Sequence, residues 1–152
     1  MSEKFQRRET STRKAPTIPT DMKAFNAKLI ADFHANDGQF TGDMAGRGLL
    51  ILTTTGARSG EPRSVVVGFG RQGDRLVVIA SDNGAPKPPD WYHNLLANPS
   101  ATIELAGPER FEVRASTAGS EERAELAKAV PYLAQQQSLT EREIPIVVFE
   151  RL

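Results

Sequence analysis

Apolar and polar residues follow two different periods along this chain of 152 residues. In the first part, apolar side chains recur every three or four positions, at Met22, Phe25, Leu29 and Phe33. This spacing predicts one amphipathic helix, and Gly38 is a suitable residue to end it. The remainder of the chain has the apolar runs and short alternations that are typical of β-strands.

Six apolar segments predict strands. In chain order they are GLLILTTT, SVVVGF, RLVVIAS, ATIELA, RFEVRAS and IPIVVFERL. Short glycine-bearing turns join the first three as an antiparallel meander, and a GPE turn joins the fourth and fifth as a hairpin. Two helices interrupt them, one in DWYHNLLANP with Asp90 as its cap and one beginning at Ser120. We therefore expect a mainly β protein with flanking helices (α+β), a small barrel rather than a parallel sheet.

Composition narrows the class of protein. Nineteen basic and nineteen acidic residues balance, which removes the electrostatic driving force for general nucleic-acid binding. The chain has no cysteine, and its two histidines, His34 and His93, lack companions at ligand spacing, so we expect no metal centre. Neither a membrane-spanning run nor a secretory signal is present, which favours a cytoplasmic protein.

The first 20 residues differ from the rest. They show no periodicity and carry five basic residues against two acidic ones, which predicts a flexible basic tail before a folded domain over residues 21–152. A basic tail joined to an amphipathic helix can rest weakly on the anionic inner face of a membrane. The more common alternative is that such a helix covers the protein's own core.

The first segment with candidate chemistry is the turn TTTGARSGEPR after the first strand. Its glycines allow a tight turn with forward-facing amides, and Arg58 and Arg63 offer planar charged groups suited to phosphate or carboxylate. Ser59 adds a hydroxyl donor. The alternative is a surface hairpin with two solvated arginines. Neither a Walker loop nor a Rossmann fingerprint is present.

The second segment is SDNGAPKPPDWYHN, which leaves the third strand and enters the short helix. Helix amides at Asp90 to Tyr92 can meet a polar ligand, and Trp91 offers a flat surface for a ring. The alternatives are a Trp91 that packs in the core and a His93 that is structural rather than a base.

In this order, LTTTGARSGEPR, SDNGAPKPPDWYHNLLANP and the terminal IPIVV resemble the deazaflavin (coenzyme F-420)-dependent nitroreductase and quinone reductase family of actinobacteria. The resemblance covers residues 25–152 and is more specific than either loop alone. It implies a split β-barrel of the flavin-reductase, FMN-binding type. It also implies the cofactor F-420, a deazaflavin with a phosphodiester and an oligoglutamate tail.

The resemblance assigns cofactor contacts by motif position. For the phosphate and tail these are Ala57, Arg58, Ser59, Arg63, Ser64, Val65, Val66, Val67 and Gly68. For the deazaflavin ring and ribityl chain they are Ile79, Ala80, Ser81, Asp82, Asp90, Trp91, Tyr92, His93 and Asn94. The implied reaction passes a hydride from C5 of the reduced ring to an organic acceptor, most simply a quinone or a nitro or enone compound. Tyr132 or Ser81 would then supply a proton.

The sequence departs from the family pattern at three places, and each departure leads to an expectation about the protein. Asn83 replaces a glycine, but asparagine tolerates the left-handed conformation. Asp82 places a carboxylate where it would repel a phosphate, which predicts weaker cofactor binding. Only Tyr132 occupies a segment where the bicyclic-nitroimidazole-reducing member has several tyrosines, so we expect poor reduction of such compounds.

Other classes of function stay open at this point. A split barrel can instead hold FMN and act as an oxidase related to the pyridoxamine-phosphate oxidases. A protein that only carries F-420 without turning it over is also compatible with the motifs, and a structural module is a further alternative. The oligomeric state is not determined by the sequence.

Overall fold

A computed structural model describes residues 21–152, and the tail predicted over residues 1–20 lies outside the described residues. Seven strands form one antiparallel sheet. They are β1 (Leu49–Thr55), β2 (Pro62–Gly68), β3 (Gly70–Gln72), β4 (Arg75–Ile79), β5 (Ser100–Leu105), β6 (Glu109–Thr117) and β7 (Ile146–Arg151). The helices are α1 (Met22–Ala35), α2 (Asp90–Ala97), α3 (Ser120–Ala127) and α4 (Leu133–Gln137).

The order of strands across the sheet is β2-β1-β5-β6-β7-β4-β3. The two edge strands, β2 and β3, are consecutive in the chain and only Phe69 lies between them. A sheet whose opposite edges are joined in this way must curl until the edges meet. The predicted barrel is therefore confirmed.

The predicted meander is wrong after its first hairpin. β2 pairs with β1, but only the short strand β3 pairs with β4, whose other neighbour is β7. The reason is a bend between Gly68 and Gly70, which carries the chain from one sheet edge to the other. At Gly70 a Cβ atom would lie 1.8 Å from the carbonyl oxygen of Ala129, so only glycine fits at this bend.

Alternate strand residues fill the barrel interior. The buried side chains that the strands place there include Leu50, Leu52, Leu76, Val78, Ile103, Val113 and Phe149. Each contributes about 1.5–3 kcal/mol by leaving water. A second apolar cluster lies on the outer face of β4 and β7, beneath Leu126, Val130 and Leu133 of the α3 and α4 region.

Helix α1 covers the outer face of the sheet. Asp21 caps it by accepting a hydrogen bond from the Ala24 N–H (3.0 Å), and the Gly38 N–H donates to the Phe33 carbonyl (2.9 Å) beyond its end. Phe33 is buried with Ile51 of β1. The alternative that this helix covers the protein's own core is therefore confirmed.

The start of α2 differs from the prediction. Asp90 is the first helical residue and not the cap, because Pro89 has the extended backbone of the capping position. No side chain caps this helix. Trp91 and Leu95 are buried, and the helix ends before Asn98, as predicted. Across residues 21–152, no helix has the length and apolar character needed to cross a membrane.

Candidate functional site

The loop between β1 and β2, residues 56–61, is held together by its own hydrogen bonds. The Gly56 N–H donates to the Glu61 carbonyl (2.8 Å). The Ser59 hydroxyl oxygen accepts from the Glu61 N–H (3.1 Å) and from Nη2 of Arg63 (3.4 Å). The side chain of Ser59 therefore shapes the turn from inside, and it holds Arg63 toward the loop.

This first loop carries two arginines beside one carboxylate, that of Glu61. Arg58 and Arg63 are exposed, and within residues 21–152 neither guanidinium forms an ion pair. Next to them, the hydroxyl groups of Ser64 and Thr53 share a hydrogen bond of 2.7 Å. Two guanidinium groups beside a turn with hydroxyl donors form a suitable donor set for a phosphate or carboxylate.

The second loop leaves β4 and enters α2. Three successive residues, Asp82, Asn83 and Gly84, have positive φ angles of 49°, 57° and 80°. The left-handed conformation expected of Asn83 is therefore confirmed. Gly84 packs closely on the segment after α4, since a Cβ at this position would lie 2.5 Å from Cβ of Leu139.

Asn94 joins helix α2, which follows the second loop, to the first loop and to β1. Its side-chain oxygen accepts a hydrogen bond from the Ala57 N–H (2.9 Å), and its Nδ2 donates to Oγ1 of Thr54 (3.0 Å). Both Asn94 and Thr54 are buried. The structure thus brings the two segments of candidate chemistry together, and it uses the Asn94 amide to hold them rather than to face solvent.

The three aromatic side chains of α2 have different surroundings. Trp91 is 7% exposed and packs in the barrel core, so its indole presents no open face to a ring; the alternative of a core tryptophan is confirmed. The Tyr92 hydroxyl shares a hydrogen bond with Oγ1 of Thr117 on β6 (2.9 Å), beside a groove of about 130 Å³. Asp90 and His93 keep exposed side chains at the helix start.

Strand β2 divides the predicted phosphate contacts between two faces. Val65 and Val67 pack against the barrel core. Val66 faces outward under α1, and its N–H donates to the side-chain oxygen of Asn26 (2.9 Å). Side chains alternate along a strand, so the range 64–68 cannot present all its side chains to one ligand. Ser64 is the exposed member of this range.

The two predicted proton donors lie on different elements. Tyr132 precedes α4, and its hydroxyl oxygen would be 3.6 Å from a Cβ on Gly68 at the end of β2. Burial raises the pKa of the Tyr132 phenol, so the group keeps its proton at neutral pH. Ser81 is half-buried at the start of the second loop, which α4 contacts.

One residue of this region was missed by the sequence reasoning. Arg142, which precedes β7, donates from Nε and Nη2 to main-chain carbonyls of the second loop at distances of 2.8–3.3 Å. The only signal in the sequence was an arginine shortly before IPIVV. In the described residues, no three His, Asp or Glu side chains gather as a metal site would require.

Comparisons with known proteins point in the same direction as the site. Residues 28–151 match the family model described as F-420H(2)-dependent quinone reductase. An F-420H(2)-dependent quinone reductase of Mycobacterium tuberculosis is 39% identical over 109 residues, which are 67% of this chain and 72% of the relative.

Solved structures agree. A structure described as an F-420-H2-dependent reductase has a TM-score of 0.61 and 32% identity, and the match covers 68% of this chain and 95% of that one. A second, described as a domain-swapped dimer, has a TM-score of 0.63 and 30% identity over 82% and 93% of the two chains. A heme-binding protein of Mycobacterium smegmatis, with 18% identity and a TM-score of 0.55 over 88% and 53% of the chains, shares the fold alone. This chain therefore belongs to the F-420H(2)-dependent quinone reductase family.

Proposed function

We infer that this protein transfers a hydride from reduced coenzyme F-420 to a quinone-type acceptor. The observation that carries the inference is the bond network of Asn94, which fixes an arginine-bearing turn against α2, the helix that the second loop enters, in a member of this family. The turn provides the phosphate-binding chemistry, and the second loop provides a wall for a ring.

The donor set of the first loop fits a phosphate-bearing cofactor. Arg58, Arg63 and Ser59 would hold the phosphodiester, because their charged and hydroxyl donors are exposed on one turn. Ile79, Ala80 and Trp91 are buried, so the ring would be contacted by the accessible residues of the second loop and of the start of α2: Ser81, Asp82, Asp90, Tyr92 and His93. When bound, F-420 supplies a hydride from its reduced ring.

The remaining chemistry is orientation and protonation. A quinone that accepts a hydride becomes a hydroquinone anion, which needs one proton. Tyr132 is the first candidate donor, because a phenol carries its proton at neutral pH and this hydroxyl lies close to Gly68 at the end of β2. Ser81 is the second candidate, at the edge of the ring-facing loop.

The first test is a fluorescence titration of the purified protein with oxidised and reduced F-420, followed by addition of menadione to the reduced complex. We expect binding and rapid, protein-dependent reoxidation of the cofactor. Binding without reoxidation would identify a carrier, and a bound yellow flavin in the purified protein would indicate an FMN enzyme. Either result would contradict the proposed reaction.

The phosphate contacts are tested by replacing both Arg58 and Arg63 with alanine. We expect affinity for F-420 to fall by roughly tenfold or more, with a less steep dependence on salt, because two charge-assisted contacts are lost. Arg114→Ala, which removes an exposed arginine on β6, is the matched control and should bind as the unchanged protein does. If the double variant binds F-420 as tightly as the unchanged protein does, the phosphate is bound by other residues.

Contact of the basic segment 1–20 with an anionic membrane surface stays a prediction, because that segment lies outside the described residues. The proposed quinone acceptor would give a reason for such contact, since many quinones reside in membranes. It is independent of the cofactor site.

A further inference from the structure

Arg142 binds the second loop through the main chain. Its Nε donates to the carbonyl of Ala85 (2.9 Å), and its Nη2 lies 3.1, 2.8 and 3.3 Å from the carbonyl oxygens of Ala80, Ser81 and Lys87. One planar guanidinium therefore contacts both ends of the loop between β4 and α2. A lysine has a single nitrogen and could not span these positions at once.

The charge of Arg142 has no acidic partner in the described part of the chain. No carboxylate among residues 21–152 lies within ion-pair distance of it, although the adjacent Glu143 pairs with Arg123 at 3.7 Å. The Nη1 atom of Arg142 is buried and has no hydrogen-bond partner there. Such a placement is unfavourable unless the carbonyl contacts compensate for it.

The loop that Arg142 holds is strained. Asp82 and Asn83 both have positive φ angles, which non-glycine residues adopt at a cost, and Gly84 continues the same hand. Only two backbone hydrogen bonds stabilise this turn from within, Gly84 N–H to Ser81 O and Ala85 N–H to Asp82 O, both 3.0 Å. The turn therefore depends on contacts from outside, and Arg142 supplies them.

Arg142 is itself held in place by a neighbouring side chain. Nε2 of Gln137 donates to the Arg142 carbonyl (2.6 Å), and Oε1 of Gln137 accepts from the Ile144 N–H (2.9 Å). This contact fixes the segment between α4 and β7. The Arg142 guanidinium thus extends from a segment that Gln137 holds in place into the strained second loop.

We propose that Arg142 is a positioning residue for hydride transfer: its guanidinium fork holds residues 80–87 in the conformation that presents the loop to the cofactor ring. The catalytic part of this inference rests on the proposed function. It predicts that geometry, not charge, is what Arg142 contributes. Misplacement of a reacting ring by about 1 Å is enough to lower a rate up to a hundredfold.

The test compares Arg142→Met and Arg142→Lys with the unchanged protein. In both variants we expect kcat to fall about tenfold or more, while the KM for reduced F-420 changes by less than about threefold, because the first loop is untouched. Arg123→Met is the matched control, since Arg123 lies on α3 and, among the residues that the structure describes, its ion pair is with Glu143. It should retain both constants.

A second measurement needs no cofactor. Hydrogen exchange of the Gly84 and Ala85 amides in the free protein should be about tenfold faster in Arg142→Lys and Arg142→Met, and unchanged in Arg123→Met. If Arg142→Met does not fold, Arg142→Lys carries the test. Unchanged exchange or unchanged kcat in Arg142→Lys overturns the proposal. If the unchanged protein fails to oxidise reduced F-420, the proposed function is wrong. The hydrogen-exchange measurement still decides in that case whether Arg142 holds the loop.

Discussion

The side-chain amide of Asn94 is shared between two parts of the chain that are 37 and 40 residues away from it. One end satisfies the Ala57 N–H of the first loop and the other satisfies the Thr54 hydroxyl. Because the amide is buried, neither partner has water as a ready substitute. The position of the first loop therefore depends on a single side chain of α2.

Replacing Asn94 with alanine leaves both partners unsatisfied. We expect the free energy of unfolding to fall by about 1–3 kcal/mol and the affinity for F-420 to fall with it, because the turn loses its anchor. Urea denaturation and the fluorescence titration measure the two effects. Asn36→Ala removes an exposed amide at the end of α1 and should change stability by less than about 0.5 kcal/mol. Equal losses in the two variants would contradict this role for Asn94.

Tyr132 makes stability depend on pH in the alkaline range. Burial raises the pKa of its phenol above the ordinary 10.0, so the folded state binds more protons than the unfolded state above that pH. Its contribution is fully present below pH 10 and is lost as pH rises through the folded pKa. Urea midpoints between about pH 8 and 11 should fall more steeply for the unchanged protein than for Tyr132→Phe. Parallel curves would show that the phenol titrates normally.

The sequence identified the two loops as segments with candidate chemistry, but it predicted the roles of their residues only in part. The left-handed Asn83 follows from its chemistry, and the core position of Trp91 was a stated alternative. The use of the Asn94 amide and the clamp by Arg142 depend on contacts between residues far apart in the chain, which no local pattern contains. Arg142 lies 55 to 62 residues from its partners.

Among the elements, the bend between β2 and β3 determines how the sheet closes. The strands themselves were predictable from apolar runs, because burial sets their periodicity. Their pairing was not, since GRQGD after SVVVGF suggests a short turn that would pair this strand with RLVVIAS, although β2 and β3 belong to opposite edges. The steric position of Gly70 against Ala129 is a tertiary feature that the sequence does not reveal.

The variants Gly70→Ala and Gly73→Ala distinguish two ways of losing stability near β3, a steric clash and backbone strain. At Gly70 the added Cβ meets a backbone oxygen at 1.8 Å, so we expect a loss above the usual 1–3 kcal/mol of overpacking. At Gly73, with φ +60°, no atom lies within 4 Å, and the loss should be about 1–2 kcal/mol of backbone strain. Thermal and urea unfolding measure both. A Gly70 variant no worse than the Gly73 variant would show that the bend can relax.

At the scale of the whole molecule, the barrel has two halves that meet at β7. One half contains β2, β1, β5 and β6 and carries the arginine-bearing turn; the other contains β4 and β3 and carries the strained loop. β7 lies between them, bonded to β6 on one side and to β4 on the other. Fold class and both loops were predictable, but this division was not, because strand order is independent of chain order.

The central place of β7 has a consequence for biosynthesis. Residues 146–151 leave the ribosome after every other strand described here, so the strand that joins the two halves is the last to be made. A nascent chain can form the β1–β2 and β5–β6 hairpins early, but β4, which carries the second loop, has only β3 to pair with until β7 emerges. The ability to bind the cofactor should therefore be acquired in a single late step, together with closure of the barrel.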